Sequence, residues 1–246
     1  MQAIRMVPDE QQIGVVVILG LFICGYCAFF FLGRSEKIRK RLLDRLGPRG
    51  GAIHHITFQK LLLLIFFGLI PLAVSLGALR LELREFCLYP LQQPLLLLIT
   101  ILACVAALIL SVLNPEHRRP DGLYPQIRVQ AWTPALVAYN LLLWAVHLSA
   151  YEFMIRGLVL HVMLPFGMWT AVAVTTTLYA AIHIPRGPVE TLGAIPLGAA
   201  LCLLVLAAGT FWPAFFVHFS LSVGNTSGMI LRRKPGIVFT TRRYFP

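Results

Sequence analysis

Six side chains that ionise or titrate lie within long apolar runs of this sequence: His147, Glu152, Arg156, His161, His183 and His218. Charge inside a bilayer is costly, so such residues are functional candidates. Glu152 and Arg156 are four residues apart and share one face of a helix. They could simply neutralise each other as a structural ion pair. Alternatively, the cation one turn away favours the ionised carboxylate, and an ionised carboxylate in a dry site is what a general base needs. His183 follows Tyr179 at the same helical spacing and precedes Pro185 and Gly187 at the end of its run. It suits a catalytic role or an interfacial one, with the ring reaching for water. In the last run His218, Ser222 and Asn225 fall on one helix face. Three hydrogen-bonding side chains there would line a polar cavity or hold helices together. One carboxylate and two imidazoles converging from three helices would suit water activation for hydrolysis. They would equally suit a divalent metal such as zinc, held from those helices.

The elements that must position these groups are membrane helices. The chain has 246 residues, of which 58% are hydrophobic and 13% charged, against ~45–50% and ~25% in ordinary soluble domains. The net charge of +11 would make nucleic acid a candidate partner of a soluble protein. Here the charges form short clusters between apolar runs, the pattern of a membrane protein with basic cytoplasmic loops, and nucleic acid is excluded on that ground. Cys24, Cys27, Cys87, Cys104 and Cys202 show no zinc-type spacing and read as small apolar residues. Near the N-terminus, Arg5 is followed by Asp9, Glu10 and an apolar run long enough to stay in the membrane, unlike a cleaved signal peptide.

The fold class expected is all-α, a polytopic bundle of about seven transmembrane helices. The runs are 13–32, 61–79, 95–113, 132–165, 167–184, 192–208 and 212–230. The fourth would reach ~50 Å as one helix, against a hydrocarbon core of ~30 Å, so it must be tilted, extended or broken; a break would make an eighth helix. The segment from Arg34 to Arg49 reads as a basic cytoplasmic loop. The loop with Arg80, Glu82, Arg84 and Glu85 is balanced, as expected outside. Arg118, Arg119 and Arg128 fit the cytoplasm, as does the basic tail. The N-terminus is then outside and the C-terminus inside. Three regions follow: 1–131 with three helices that hold almost no ionisable residue, 132–231 as the working core, and the cytoplasmic tail 232–246.

The working core resembles a known family. YEFMIRG at 151–157, YAAIH at 179–183 and HFSLS at 218–222 are similar, in the same order, to the EExxxRG, FxxxH and HxxxN motifs of the CPBP (ABI) intramembrane proteases. That family includes the CAAX-prenyl endopeptidases and bacterial bacteriocin-processing relatives. The connecting text GAIPLGAALCLLVLAAGTFWPAFFVH is similar as well, and the resemblance covers roughly residues 135–230. It implies hydrolysis of a peptide bond within the membrane. A glutamate and the first histidine activate water without a metal; the second histidine and the asparagine stabilise the oxyanion. Arg156, His183 and His218 match the motifs directly. Tyr151 stands at the first motif glutamate, as in a recurring single-glutamate subgroup, so Glu152 takes the role of base. Ser222 stands at the asparagine position, with Asn225 one turn away.

The resemblance therefore implies an intramembrane endopeptidase of glutamic type, in a group long classed with the metalloproteases. Its implied partners are a membrane-embedded or lipidated protein substrate and the bilayer, and its cofactor none, with a divalent metal as the alternative. Its compact loops and the subgroup point to a bacterial inner membrane. The competing reading is a pseudoprotease that binds a membrane peptide as a scaffold or immunity protein, which Tyr151 and Ser222 favour. A proton-coupled carrier is disfavoured by the lack of an inverted repeat or paired broken helices.

Overall fold

A computed structural model describes residues 10–80, 91–114, 124–231 and 238–239. Their regular structure is helical, apart from a two-residue parallel pair in which Ala131 of β1 (Ala131–Trp132) faces Val238 of β2 (Val238–Phe239). The all-α polytopic expectation holds. Six stretches among the described residues are long and apolar enough to cross a membrane: Gln11–Gly33, Glu36–Gly77, Pro94–Leu113, Pro134–Phe166, Pro188–Ala208 and Trp212–Leu231. The run expected over 167–184 forms a helix of 14 residues. At ~1.5 Å per residue this is about 21 Å, short of a ~30 Å hydrocarbon core. Cys87, the balanced loop around Glu82, Arg84 and Glu85, and the basic residues Arg118 and Arg119 lie outside the described residues, as does most of the tail.

The helices α1 (Glu10–Gly33) and α4 (Pro94–Leu113) are the most apolar and the least covered. Only 17% of each apolar window is buried, against 56% for α9 (Trp212–Leu231). Much of their apolar surface is left uncovered by protein, whereas most of the α9 window is buried. A helix whose polar side chains face protein need not be apolar all round, which is why α9 can carry His218, Ser222 and Asn225.

The stretch from Arg34 to Arg49 departs from the loop expected there. It begins α2 (Glu36–Leu63), with Ser35 in extended conformation before the first turn and Glu36 near the positive end of the helix dipole. Arg39 Nε donates to Glu36 across 3.0 Å. At Gly47 the backbone leaves the helix (φ 70, ψ 174), a conformation glycine adopts without a steric penalty. Pro48 then starts the next turn, where its missing N–H is not needed. Clustered charge shows that a segment meets water but not its conformation, and Lys, Arg, Glu and Leu are all good helix formers. After α2 the chain continues through a π-helical segment, Leu64–Leu69, into α3 (Ile70–Gly77).

The fourth apolar run remains helical but changes pitch. It consists of α5 (Pro134–Glu152), a π-helical segment over Phe153–Val159, α6 (Leu160–Met163) and a 3-10 turn to Phe166. Then follow α7 (Met168–Ala181), a 3-10 turn at Ile184–Arg186 and α8 (Pro188–Ala208).

The described residues fall into two compact units. One takes its members from Met1–Cys27, Ile65–Leu91 and Ala150–Ala214, the other from Ala28–Leu64, Gln92–Ser149 and Phe215–Pro246. In the first, the rings of Phe22 and Phe67 pack 5.3 Å apart, and Ile155, Leu158 and Val159 are buried. In the second, Ile56, Ile127, Trp132, Leu136 and Met229 form the core cluster.

Candidate active site

Glu152 is the last residue of α5 and Arg156 lies in the π-helical segment that follows. Such segments widen a helix by one residue and recur at functional sites. Arg156 Nη1 donates to Glu152 Oε2 across 2.8 Å, and neither side chain has any exposed surface. A charge-assisted bond of this length is strong, and it is what allows both charges to be buried. The guanidinium carbon lies 4.2 Å above the ring of Tyr179, a cation–π contact that adds to its accommodation away from water. Behind that ring is Gly198 of α8. A Cβ there would come within 2.9 Å of Tyr179 Cδ1, so the close approach of α8 to Tyr179 requires glycine.

His183 follows the C-terminal end of α7 and is buried at 8% exposure, so it is not reaching for bulk water. Its Nδ1 lies 2.7 Å from the Tyr179 carbonyl oxygen. A carbonyl can only accept, so Nδ1 carries the proton, and in the neutral ring Nε2 keeps the lone pair. Two tyrosines frame it. The Tyr179 ring is 4.6 Å from the imidazole, and the Tyr151 ring stands edge-on to it at 6.4 Å. Tyr151 also meets Tyr179 at 5.9 Å and Phe67 at 6.4 Å. The position expected to depart from a two-glutamate motif is thus filled by a buried aromatic side chain packed against the histidine. Cys202, fully buried, belongs to the same unit.

His218, Ser222 and Asn225 lie in the other unit. All three are buried on α9, at 8%, 4% and 8% exposure, and they share one face of it, as the spacing predicts. Ser222 places its carbonyl 2.9 Å from the Thr226 hydroxyl, which donates to it. Thr226 in turn accepts from Asn140 Nδ2 at 3.1 Å. Asn225 lines a small polar cavity with Tyr124, Gln126, Asn140, Trp144 and Thr226. The further candidates separate: His161 is half-buried, whereas His147 is buried with its ring 5.6 Å from that of Trp144.

One buried ionisable residue escaped the sequence reading. Lys60 is 3% exposed, and its Nζ lies 3.1 Å from the centre of the Trp144 ring. It stands immediately before the run LLLLIFFGLI, where it reads as the last residue of a basic loop. Lys60 lies one residue before the run 61–79, so the expectation that the first three runs hold almost no ionisable residue does not extend to it. No local pattern around Lys60 announces the aromatic face, which comes from a helix more than eighty residues away.

A catalytic metal needs three or four donors. Among the described residues no group of three or more His, Cys, Asp or Glu side chains is placed to hold one, and Glu152 Oε2 already accepts from a guanidinium. Cys24, Cys27, Cys104 and Cys202 are free thiols.

Residues 126–224 match the family model described as Rce1-like, type II CAAX prenyl endopeptidase Rce1-like. No curated protein and no solved structure matches. The match runs from the approach to α5 into α9 and includes Glu152, Arg156, His183, His218 and Ser222, while Asn225 lies one residue beyond it.

Proposed function

From the match of residues 126–224 to the Rce1-like type II CAAX prenyl endopeptidase family model, we propose that the chain belongs to that family and hydrolyses a peptide bond of a membrane-associated protein through water activated by Glu152. The observation that carries this reading is the fully buried Glu152–Arg156 pair at 2.8 Å, in the same unit as a histidine whose Nδ1 is tied to Tyr179. In the proposed mechanism, the His183 Nε2 lone pair accepts a hydrogen bond from water and Glu152 removes the other proton. The resulting hydroxide attacks the peptide carbonyl. Glu152 then returns the proton to the leaving amine as the C–N bond breaks. Arg156 holds the carboxylate in one orientation throughout. His218, with Ser222 or Asn225, is assigned to the oxyanion from its place in the motif order.

Substrates of this reading are lipidated or membrane-embedded proteins, including CAAX-like tails. The clustered basic residues support a C-terminus in the cytoplasm, and the compact loops and the resemblance to the single-glutamate subgroup support a bacterial inner membrane. Tyr151 and Ser222 favour a second reading, an inactive relative that binds a membrane peptide without cutting it.

One experiment separates the two. The purified full chain is reconstituted and offered a library of prenylated C-terminal peptides, with and without chelator. Cleavage that survives chelator and is lost in Glu152→Gln supports the proposal. Binding without cleavage supports the inactive relative, and cleavage lost with chelator would require a metal mechanism.

A further inference from the structure

The unit that contains β1 has a cleft of about 480 Å³ beside that strand. Pro48 and Arg49 form one side, Arg128, Val129, Gln130 and Ala131 the other, and Val238 of β2 a third. Two arginines therefore line it, and no acidic side chain does among the described residues. Arg49 is held in place, because its Nη1 donates to the Ala131 carbonyl across 2.8 Å. An arginine has five N–H donors, so this bond fixes the guanidinium without exhausting it. The Gly47 turn and Pro48 set the direction from which Arg49 arrives. Arg128 is exposed, on the stretch leading into β1.

The location decides what kind of anion such a cleft meets. Three residues after Ala131, Pro134 begins an apolar helical stretch that is long enough to cross a membrane. The cleft thus adjoins the start of that stretch, where a membrane-spanning reading puts the boundary between water and lipid. The remaining lining is short and apolar: Pro48, Val129, Ala131 and Val238. In sequence, β2 is flanked by Lys234, Arg242 and Arg243, so the surrounding chain is basic on both sides. Guanidinium forks match phosphate oxygens in pairs, and basic pockets beside membrane helices on the cytoplasmic side bind anionic headgroups.

We propose that this cleft is a binding site for the phosphodiester headgroup of an anionic phospholipid, gripped by Arg49 and Arg128, with the acyl chains left in the bilayer beside the helix that begins at Pro134. None of the lining residues is among the proposed catalytic residues, and the proposal does not depend on the peptidase reading.

The test uses the full chain in neutral micelles, titrated with fluorescent phosphatidylglycerol and, in parallel, with equally labelled phosphatidylcholine. The wild type binds phosphatidylglycerol in preference, and added salt weakens it. Arg128→Gln weakens the anionic lipid about fivefold, and Arg49→Gln with Arg128→Gln about 25-fold, at roughly fivefold per arginine. Arg49 braces β1, so a variant that leaves both charges in place provides an independent arm. Val238→Trp fills the cleft and also removes the preference. Lys37→Gln with Arg41→Gln, which removes two exposed charges of α2, leaves the preference intact. The proposal is overturned by equal affinity for the two lipids, by a preference that survives Arg128→Gln and Val238→Trp, or by one lost equally in the Lys37/Arg41 variant. Displacement of the lipid by inorganic phosphate at matching concentration would overturn it too, by showing a site for the free ion.

Discussion

The Nδ1 of His183 donates to the carbonyl oxygen of Tyr179 across 2.7 Å. This bond turns a histidine at the end of a helix into one of defined tautomer and direction. In the neutral ring Nε2 then carries the lone pair that the proposed mechanism uses to orient water, so the proposed division of labour has a specific consequence. His183→Phe preserves a ring against Tyr151 and Tyr179 but lacks the acceptor. It should fold like the wild type and lose ~10²–10⁴ in turnover. Peptide cleavage measured beside a thermal melt checks this; unchanged turnover would remove His183 from the mechanism.

Glu152 and Arg156 bury two opposite charges with no surface exposed. Removing one leaves the other without its counterion. Arg156→Met should therefore destabilise the protein by about 3–5 kcal/mol, the usual result of breaking a buried pair. The double variant Glu152→Gln with Arg156→Met should recover much of that loss while remaining inactive. A double-mutant cycle on detergent unfolding measures the coupling. Additive effects would mean that the pair does not act as a unit.

Gly198 allows α8 to approach Tyr179, with 2.9 Å between a would-be Cβ and the ring. Gly198→Ala should cost about 1–3 kcal/mol through overpacking and reduce activity by shifting the ring on which Arg156 rests. Gly198→Ala combined with Tyr179→Leu relieves the clash and should regain stability but not activity. Melting temperature and turnover, read together, distinguish these effects.

Ser222 has a short hydroxyl where the resemblance places an amide. If the oxyanion contact is weakened there, Ser222→Asn should raise turnover, toward the ~10²–10³-fold effect that one such donor has in other enzymes. His218→Ala should lower it by a similar factor. A Ser222→Asn variant with unaltered turnover would point to a different donor, and Asn225→Ala is the next measurement.

The membrane class was already present in the residues. Long runs such as PLLLLITILACVAALILSVL have no other stable environment, and hydropathy is a local property. The Glu152–Arg156 pairing was legible for the same reason, since four residues make about one helical turn. So was the common face of His218, Ser222 and Asn225.

Tertiary structure decided the rest. It made a helix of the basic stretch after Arg34, because charge reports contact with water and leaves backbone geometry open. It turned the middle of the fourth run into a π-helical segment, because pitch responds to packing that no local pattern records. It placed Lys60 against Trp144 and Tyr179 beneath Arg156, contacts between residues far apart in sequence. It set Arg49 and Arg128 along one cleft, although 79 positions separate them in the chain. Sequence by itself determined which residues carry charge into an apolar environment. Only the fold decided what each charge rests against, because that depends on which distant helices pack together.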